Sequence, residues 1–176
     1  MNQYLVVSAI GEDRPGIVSE LSKTIVDLGG NIADSRMTVL GGEFALILLI
    51  SGSWDVISKM EESIPDLQKR LRLTIITKRT DPSAAKARGV PYLVDVVAMD
   101  HPGIVSKVAG FLSTRGINIQ DMDTQSYAAA HTGTPMFSLT MTVSVPAEQS
   151  ISELRDEFTA FCDELNLDAV LEPTKD

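Results

Sequence analysis

A shift of 87 positions superimposes this sequence on itself. Residues 13–34 then lie on residues 100–121 without a gap, and ten of the 22 positions are identical. The shared block is Asp13-Arg14-Pro15-Gly16-Ile17-Val18-Ser19 against Asp100-His101-Pro102-Gly103-Ile104-Val105-Ser106, followed by Gly29/Gly116, Asn31/Asn118, Ile32/Ile119 and Asp34/Asp121. A duplication constrains the fold strongly, because whatever one half builds the other builds too. The halves lie near 1–78 and 91–176. Between them, 79–90 reads as a linker, with Pro82, Ser83, Ala84-Ala85 and Lys86.

Each half gives the same succession of elements. Leu5–Ile10 and Leu93–Met99 are short apolar runs rich in Val and Ile, hence strands. The Pro-Gly pair breaks each strand and opens a helix. Ile17, Leu21, Ile25 and Leu28 recur at helical spacing, as do Ile104, Val108 and Leu112. Gly29-Gly30 and Gly116 stop those helices, where a left-handed residue is wanted. Second strands follow at Asn31–Leu40 and Asn118–Tyr127. Gly41-Gly42 signals a tight hairpin into Phe44–Ile50. The second half has a longer loop, Ala128–Pro135, before Met136–Val145. Second helices carry Val56, Met60, Ile64 and Leu67, or Ile151, Leu154, Phe158, Cys162 and Leu165. Strands over Leu71–Lys78 and Leu167–Leu171 close the units. This order is β-α-β-β-α-β twice: an α+β chain of two ferredoxin-like domains, each a four-stranded antiparallel sheet with both helices on one face.

The third strands differ in one telling respect. Phe137, Leu139, Met141, Val143 and Val145 alternate with Ser138, Thr140, Thr142 and Ser144, as in a half-buried strand. Phe44–Ile50 is apolar on both faces. The open sheet face of the first half is therefore expected to pack on another surface, either its own second half or another subunit in a homo-oligomer.

Charge excludes one class of partner. The formal net charge is −9, and the short basic stretch Lys69-Arg70-Leu71-Arg72 is too small to offset it, so direct binding to DNA or RNA is not expected. An RNA-recognition sheet would also need exposed aromatics, which are 5% of the residues. Cys162 is the single cysteine, so no internal disulfide can form, which fits a reducing compartment. The N-terminus lacks a basic leader, and the longest apolar run is too short to span a bilayer, which takes roughly 20 residues. A cytoplasmic protein with no membrane contact is expected. His101 and His131 with one cysteine offer no metal-ligand spacing, and no cofactor is expected.

A strand, then Asp-x-Pro-Gly and two hydrophobic residues, then a helix, then Gly-x-Asn-Ile or its equivalent opening the next strand, resembles the ACT domain twice over. The resemblance covers nearly the whole chain. It implies βαββαβ modules that bind amino acids and regulate metabolism without catalysis. For tandem copies lacking a catalytic domain it implies a non-enzymatic repressor of glycine cleavage genes. Its implied partners are a small amino acid, glycine or similar, as effector and a DNA-binding transcription factor. The same resemblance places the ligand between the Pro-Gly loop of one domain and an edge of its partner. The residues carried over are Asp13, Arg14, Pro15, Gly16 and Asn31, then Asp100, His101, Pro102, Gly103 and Asn118. Many amino-acid-binding members have Asn at the first position, and Asp here would welcome an ammonium group but repel a carboxylate.

The chemistry agrees with that placement. Glycine lets the backbone turn where a Cβ would intrude, and the helix behind it presents free N–H groups to a carboxylate. An Asn amide both donates and accepts. Plainer roles stand beside these: Asp13 and Asp100 as helix N-caps, Asn31 and Asn118 as turn formers, His101 and His131 as solvated loop residues, Cys162 as core. The loop 128–134 reads as a surface insertion or a partner contact. The alternatives in function are an interaction module without ligand and, more remotely, a small ferredoxin-like hydrolase, for which the Pro-Gly turn is short of phosphate donors.

Overall fold

Period-two alternation builds the strands. In β1 (Gln3–Glu12), Leu5, Val7 and Ala9 are buried while the residues between them are not. The computed structural model describes residues 2–81 and 89–174 and divides the chain into two units, Met1–Lys86 and Ala87–Asp176. The first unit continues with α1 (Ile17–Asp27), β2 (Asn31–Leu40), β3 (Glu43–Gly52), α2 (Trp54–Leu71) and β4 (Thr74–Thr80). The second holds β5 (Gly89–Met99), α3 (Ile104–Ser113), β6 (Asn118–Ala128), β7 (Pro135–Pro146), α4 (Ile151–Glu164) and β8 (Asp168–Pro173).

Both sheets have the same order, β2-β3-β1-β4 and β6-β7-β5-β8, and every pair is antiparallel. This is the ferredoxin-like arrangement expected from the repeat. Helical apolar stripes cover one face of each sheet. Ile17, Leu21 and Ile25 of α1 join Ile57, Met60, Ile64 and Leu67 of α2 over Leu5, Val7, Phe44, Leu46, Leu48 and Ile50. In the second unit Val108 and Leu112 join Leu154, Phe158 and Cys162 over Val94, Val96, Leu139, Met141 and Val143. Phe111 stacks against Phe158 and Phe161 with ring centroids 5.4 and 4.8 Å apart.

Turn chemistry places the boundaries. Gly41 and Gly42 both have positive φ, 60° and 85°, so the first hairpin closes in two residues. Gly29 (φ 86°) and Gly116 (φ 68°) end α1 and α3, and the amides of Gly30 and Ile117 reach back to Ile25 O and Leu112 O. Some expected boundaries shift. Leu71 is the last residue of α2 rather than the start of a strand, because Arg72 takes the left-handed conformation (φ 54°) and ends the helix there. Ile57, fully buried, takes the place in the α2 stripe expected for Val56, which is half-buried. Of the expected linker, Arg79 and Thr80 belong to β4 and Gly89 and Val90 to β5; 82–88 lie outside the described residues.

The edge strands β2 and β6 are exposed along nearly their whole length, with only Ile32 and Ile119 half-buried. The open face of the first sheet carries Val6, Ile10, Ala45, Ile47, Leu49 and Ile76, of which Ile10, Ile47 and Ile76 are exposed. The second sheet shows the alternation read from its sequence, with Ser138, Thr140 and Thr142 opposite the buried row.

Candidate functional site

The repeated motif forms the same loop in both units. β1 ends at Glu12, and the chain turns through Asp13-Arg14-Pro15 to Gly16, the residue before α1, with φ 96°. Gly103 precedes α3 with φ 97°. A Cβ at Gly103 would meet nothing within 4 Å, and one at Gly16 only Glu20 Oε1 at 3.8 Å. Glycine is thus required by the left-handed backbone, not by crowding. Glu20 N donates to Gly16 O at 2.9 Å and Lys107 N to Gly103 O at 3.0 Å. The amides before them, of Ile17, Val18 and Ser19 and of Ile104, Val105 and Ser106, have no intrahelical acceptor. The positive end of each helix stands behind open space.

The aspartates do not cap these helices: among the described residues no side-chain cap bond is made at either helix start. Their backbones pin the loops instead. Asp13 N donates to Gly42 O at 3.1 Å, and Asp100 N to Pro135 O at 2.9 Å, so each loop is tied to the neighbouring hairpin. The Asp100 carboxylate accepts from Ser126 Oγ at 3.0 Å. Arg14 donates to Leu71 O at 3.4 Å and approaches Glu20 at 3.5 Å, bracing the first loop against the end of α2. His101 at the equivalent place has Nδ1 3.2 Å from its neighbour Pro102 O and stays exposed.

Asn31 and Asn118 are not brought to these loops within their own units. Asn31 pairs with Ser51, which pairs with Tyr4, at the start of β1. Asp13 follows the other end of β1. Nine residues of extended chain separate the two levels, about 30 Å. Asn118 lies likewise beside Ser144 and Pro91, far from Asp100.

A sequence model of the ACT domain matches residues 3–78. The glycine cleavage system transcriptional repressor of Escherichia coli (strain K12) is 32% identical over 163 residues, 93% of this chain and 86% of that one. The chain belongs to the tandem ACT-domain family of glycine cleavage system transcriptional repressors. A crystal structure of a candidate repressor of this kind shares 31% identity with a TM-score of 0.76, covering 100% of this chain and 99% of that one. An unknown protein from Galdieria sulphuraria gives a TM-score of 0.80 at 29% identity, covering 99% and 100%.

In this ACT-domain chain the hairpin between the second and third strands is part of the loop's surroundings, which the motif alone does not reveal. Gly42, Pro135 and Ser126 all contact the loop through it. The signal that could have found them is topological. In an antiparallel β1–β3 pair, the end of β1 lies beside the start of β3, so the hairpin must flank the Pro-Gly loop. Elsewhere, Cys162 is buried in the ACT core, and burial pushes its thiol up to about 11. Among the described residues no His, Cys, Asp and Glu are grouped to hold a metal, and no helix is long and apolar enough to cross a membrane.

Proposed function

We propose that this chain represses glycine cleavage genes by binding a DNA-binding transcription factor in the cytoplasm, and that a small amino acid such as glycine modulates that contact. The observation that carries the reading is the pair of glycine-capped loops in a chain 32% identical to a glycine cleavage repressor over 93% of its length. Each loop offers helix-start amides, which lack intrahelical acceptors, to a carboxylate, and an aspartate 3 residues before the glycine to an ammonium group. The net charge of −9 supports action through a protein rather than on DNA.

The proposed ligand residues divide into two sets. Asp13, Arg14, Pro15 and Gly16, with Asp100, His101, Pro102 and Gly103, form the loops. Asn31 and Asn118 stand at the far ends of the sheets, so a ligand touching both sets needs its asparagine from the strand edge of a neighbouring module. A ligand bridging modules would alter the stability of that contact, and through it the affinity for a partner.

A second reading, an interaction module without effector, is favoured by one observation: the Asp100 carboxylate is already engaged by Ser126. Calorimetric titration with glycine, serine and alanine separates the two. Saturable heat with glycine, weakened by Gly16→Ala with Gly103→Ala, supports the sensor. Absence of heat at millimolar ligand overturns it in favour of the module. Capture of a DNA-binding protein, with no mobility shift by the chain alone, supports the protein-directed mode, and a specific shift overturns it.

A further inference from the structure

The open face of the first sheet poses a question the ligand loops do not answer. It holds exposed Ile10 (51%), Ile47 (47%) and Ile76 (67%) around the half-buried Val6, Ala45 and Leu49. A sheet face this rich in exposed apolar side chains, with Ser8 and Arg36 set among them, marks an interaction surface. A hollow of about 280 Å³, lined among others by Val6, Ile47, Leu49 and Thr80, gives it relief into which facing side chains can fit.

The strand registers say what faces it. Asp34 pairs with Leu49, Leu49 with Val6, and Val6 with Lys78. One row across the sheet therefore reads acid, apolar, apolar, base. Such a row is complementary to its own reversed copy. We propose that this face binds a second copy of the chain about a two-fold axis parallel to the strands, which sets Asp34 of each copy on Lys78 of the other and Leu49 on Val6. Sheets packed face to face keep their strands within about 30° of each other, so the pairing holds across the middle of the face. Asp34 has capacity for it. Its bonds from Ser35 N (2.8 Å) and Arg36 (2.7 Å) both fall on Oδ1, and its side chain is 62% exposed.

The duplicated row shows why the partner is the same unit. In the second sheet the row is Asp121, Thr142, Leu93 and Glu172, with acid at both ends. The next row adds Asp123 and Asp95, and no Lys or Arg stands on any strand of that sheet. Laid on its own copy, that face opposes Asp121 to Glu172. Of the two duplicated rows, only the one in the first sheet is complementary to its own reversed copy.

The size is adequate. Three strands of ten residues and one of seven, about 4.8 Å apart, give a face on the order of 600 Å². Two such faces bury about 1,200 Å², the lower end of specific protein interfaces.

Sedimentation equilibrium of the full chain tests this. A dimer is expected. Asp34→Lys or Lys78→Glu alone weakens it by about tenfold or more, and the two together restore it to within about threefold. Far-ultraviolet dichroism, unchanged in all three, shows that they fold. A chain that stays monomeric up to about 100 μM, or a dimer that neither single reversal weakens, overturns the proposal.

Discussion

Ser126 donates a hydrogen bond to Asp100 at 3.0 Å, and the repeat sets Val39 at the place of Ser126. The two Pro-Gly loops therefore differ in their carboxylates, although their motifs match. Asp100 is held by a hydroxyl from β6, whereas no hydroxyl stands at Val39 of β2 to hold Asp13. Ser126→Ala is expected to cost less than about 1 kcal/mol, since both groups are exposed. Urea denaturation measures it, and a loss well above that value would mean that the bond organises the whole loop.

Gly16→Ala and Gly103→Ala should each destabilise their unit by about 1–2 kcal/mol, through backbone strain alone. The positive φ of 96° and 97° is unfavourable for alanine, yet its methyl group would meet no close neighbour. Denaturant midpoints check this. A neutral outcome at either site would show that the loop can adopt another backbone path.

Phe158→Ala should destabilise the second unit by about 3–5 kcal/mol, the cost of emptying a buried aromatic site. Phe158 is 1% exposed and stacks on Phe111. The two cores are separate clusters, and Trp54, the single tryptophan, lies in the first unit. Tryptophan fluorescence should therefore keep its wild-type midpoint while far-ultraviolet dichroism gains an early transition. Equal shifts in both signals would show that the units unfold as one.

Cys162 should resist alkylation in the native protein at pH 8 and react on unfolding. Burial raises its thiol to about 11 from an unfolded value near 9.0. The folded state thus holds the proton more tightly. Its contribution to stability is intact below about pH 9 and is lost as pH rises from there through about 11. Timed iodoacetamide labelling read by mass gives the rate. Native labelling as fast as in urea would contradict the burial.

Glu61 accepts hydrogen bonds from Arg79 at 2.7–3.2 Å, which lower its pKa below the ordinary carboxylate value. Because the folded value is depressed, the contribution is present above the unfolded value and is lost as pH falls through the folded one. About a third of the carboxylate side chain is exposed, so the pair contributes under about 1 kcal/mol. Glu61→Gln should lower stability slightly at pH 7 and narrow its difference from wild type in acid. A constant difference from pH 7 to 3 would rule out the ionic contribution.

Much of the fold was legible because its signals are local. The Pro-Gly pair, the glycines at 29 and 116 and the Gly41-Gly42 turn act on their own backbones, and each stands where the sequence placed it. The helix boundary at Leu71 was not legible, since nothing in Leu71-Arg72-Leu73 announces that Arg72 will turn left-handed. The aspartates look like caps in sequence. In the structure the chain reaches glycine before the helix begins, so the carboxylates are three residues too early to cap.

By itself the sequence determined that there are two modules, that each is βαββαβ, and that each has a glycine-capped loop before its first helix. Repeat spacing, hydrophobic period and turn residues suffice for that, because each acts over a few neighbouring residues. Tertiary structure decided what those features face. It set Asn31 about 30 Å from Asp13, Ser126 on Asp100, and Asp34, Leu49, Val6 and Lys78 in one row. Such neighbours come from hydrogen-bonded pairing between distant strands, where a one-residue slip would turn every side chain to the opposite face. That register is settled by the packing of the whole sheet against its helices.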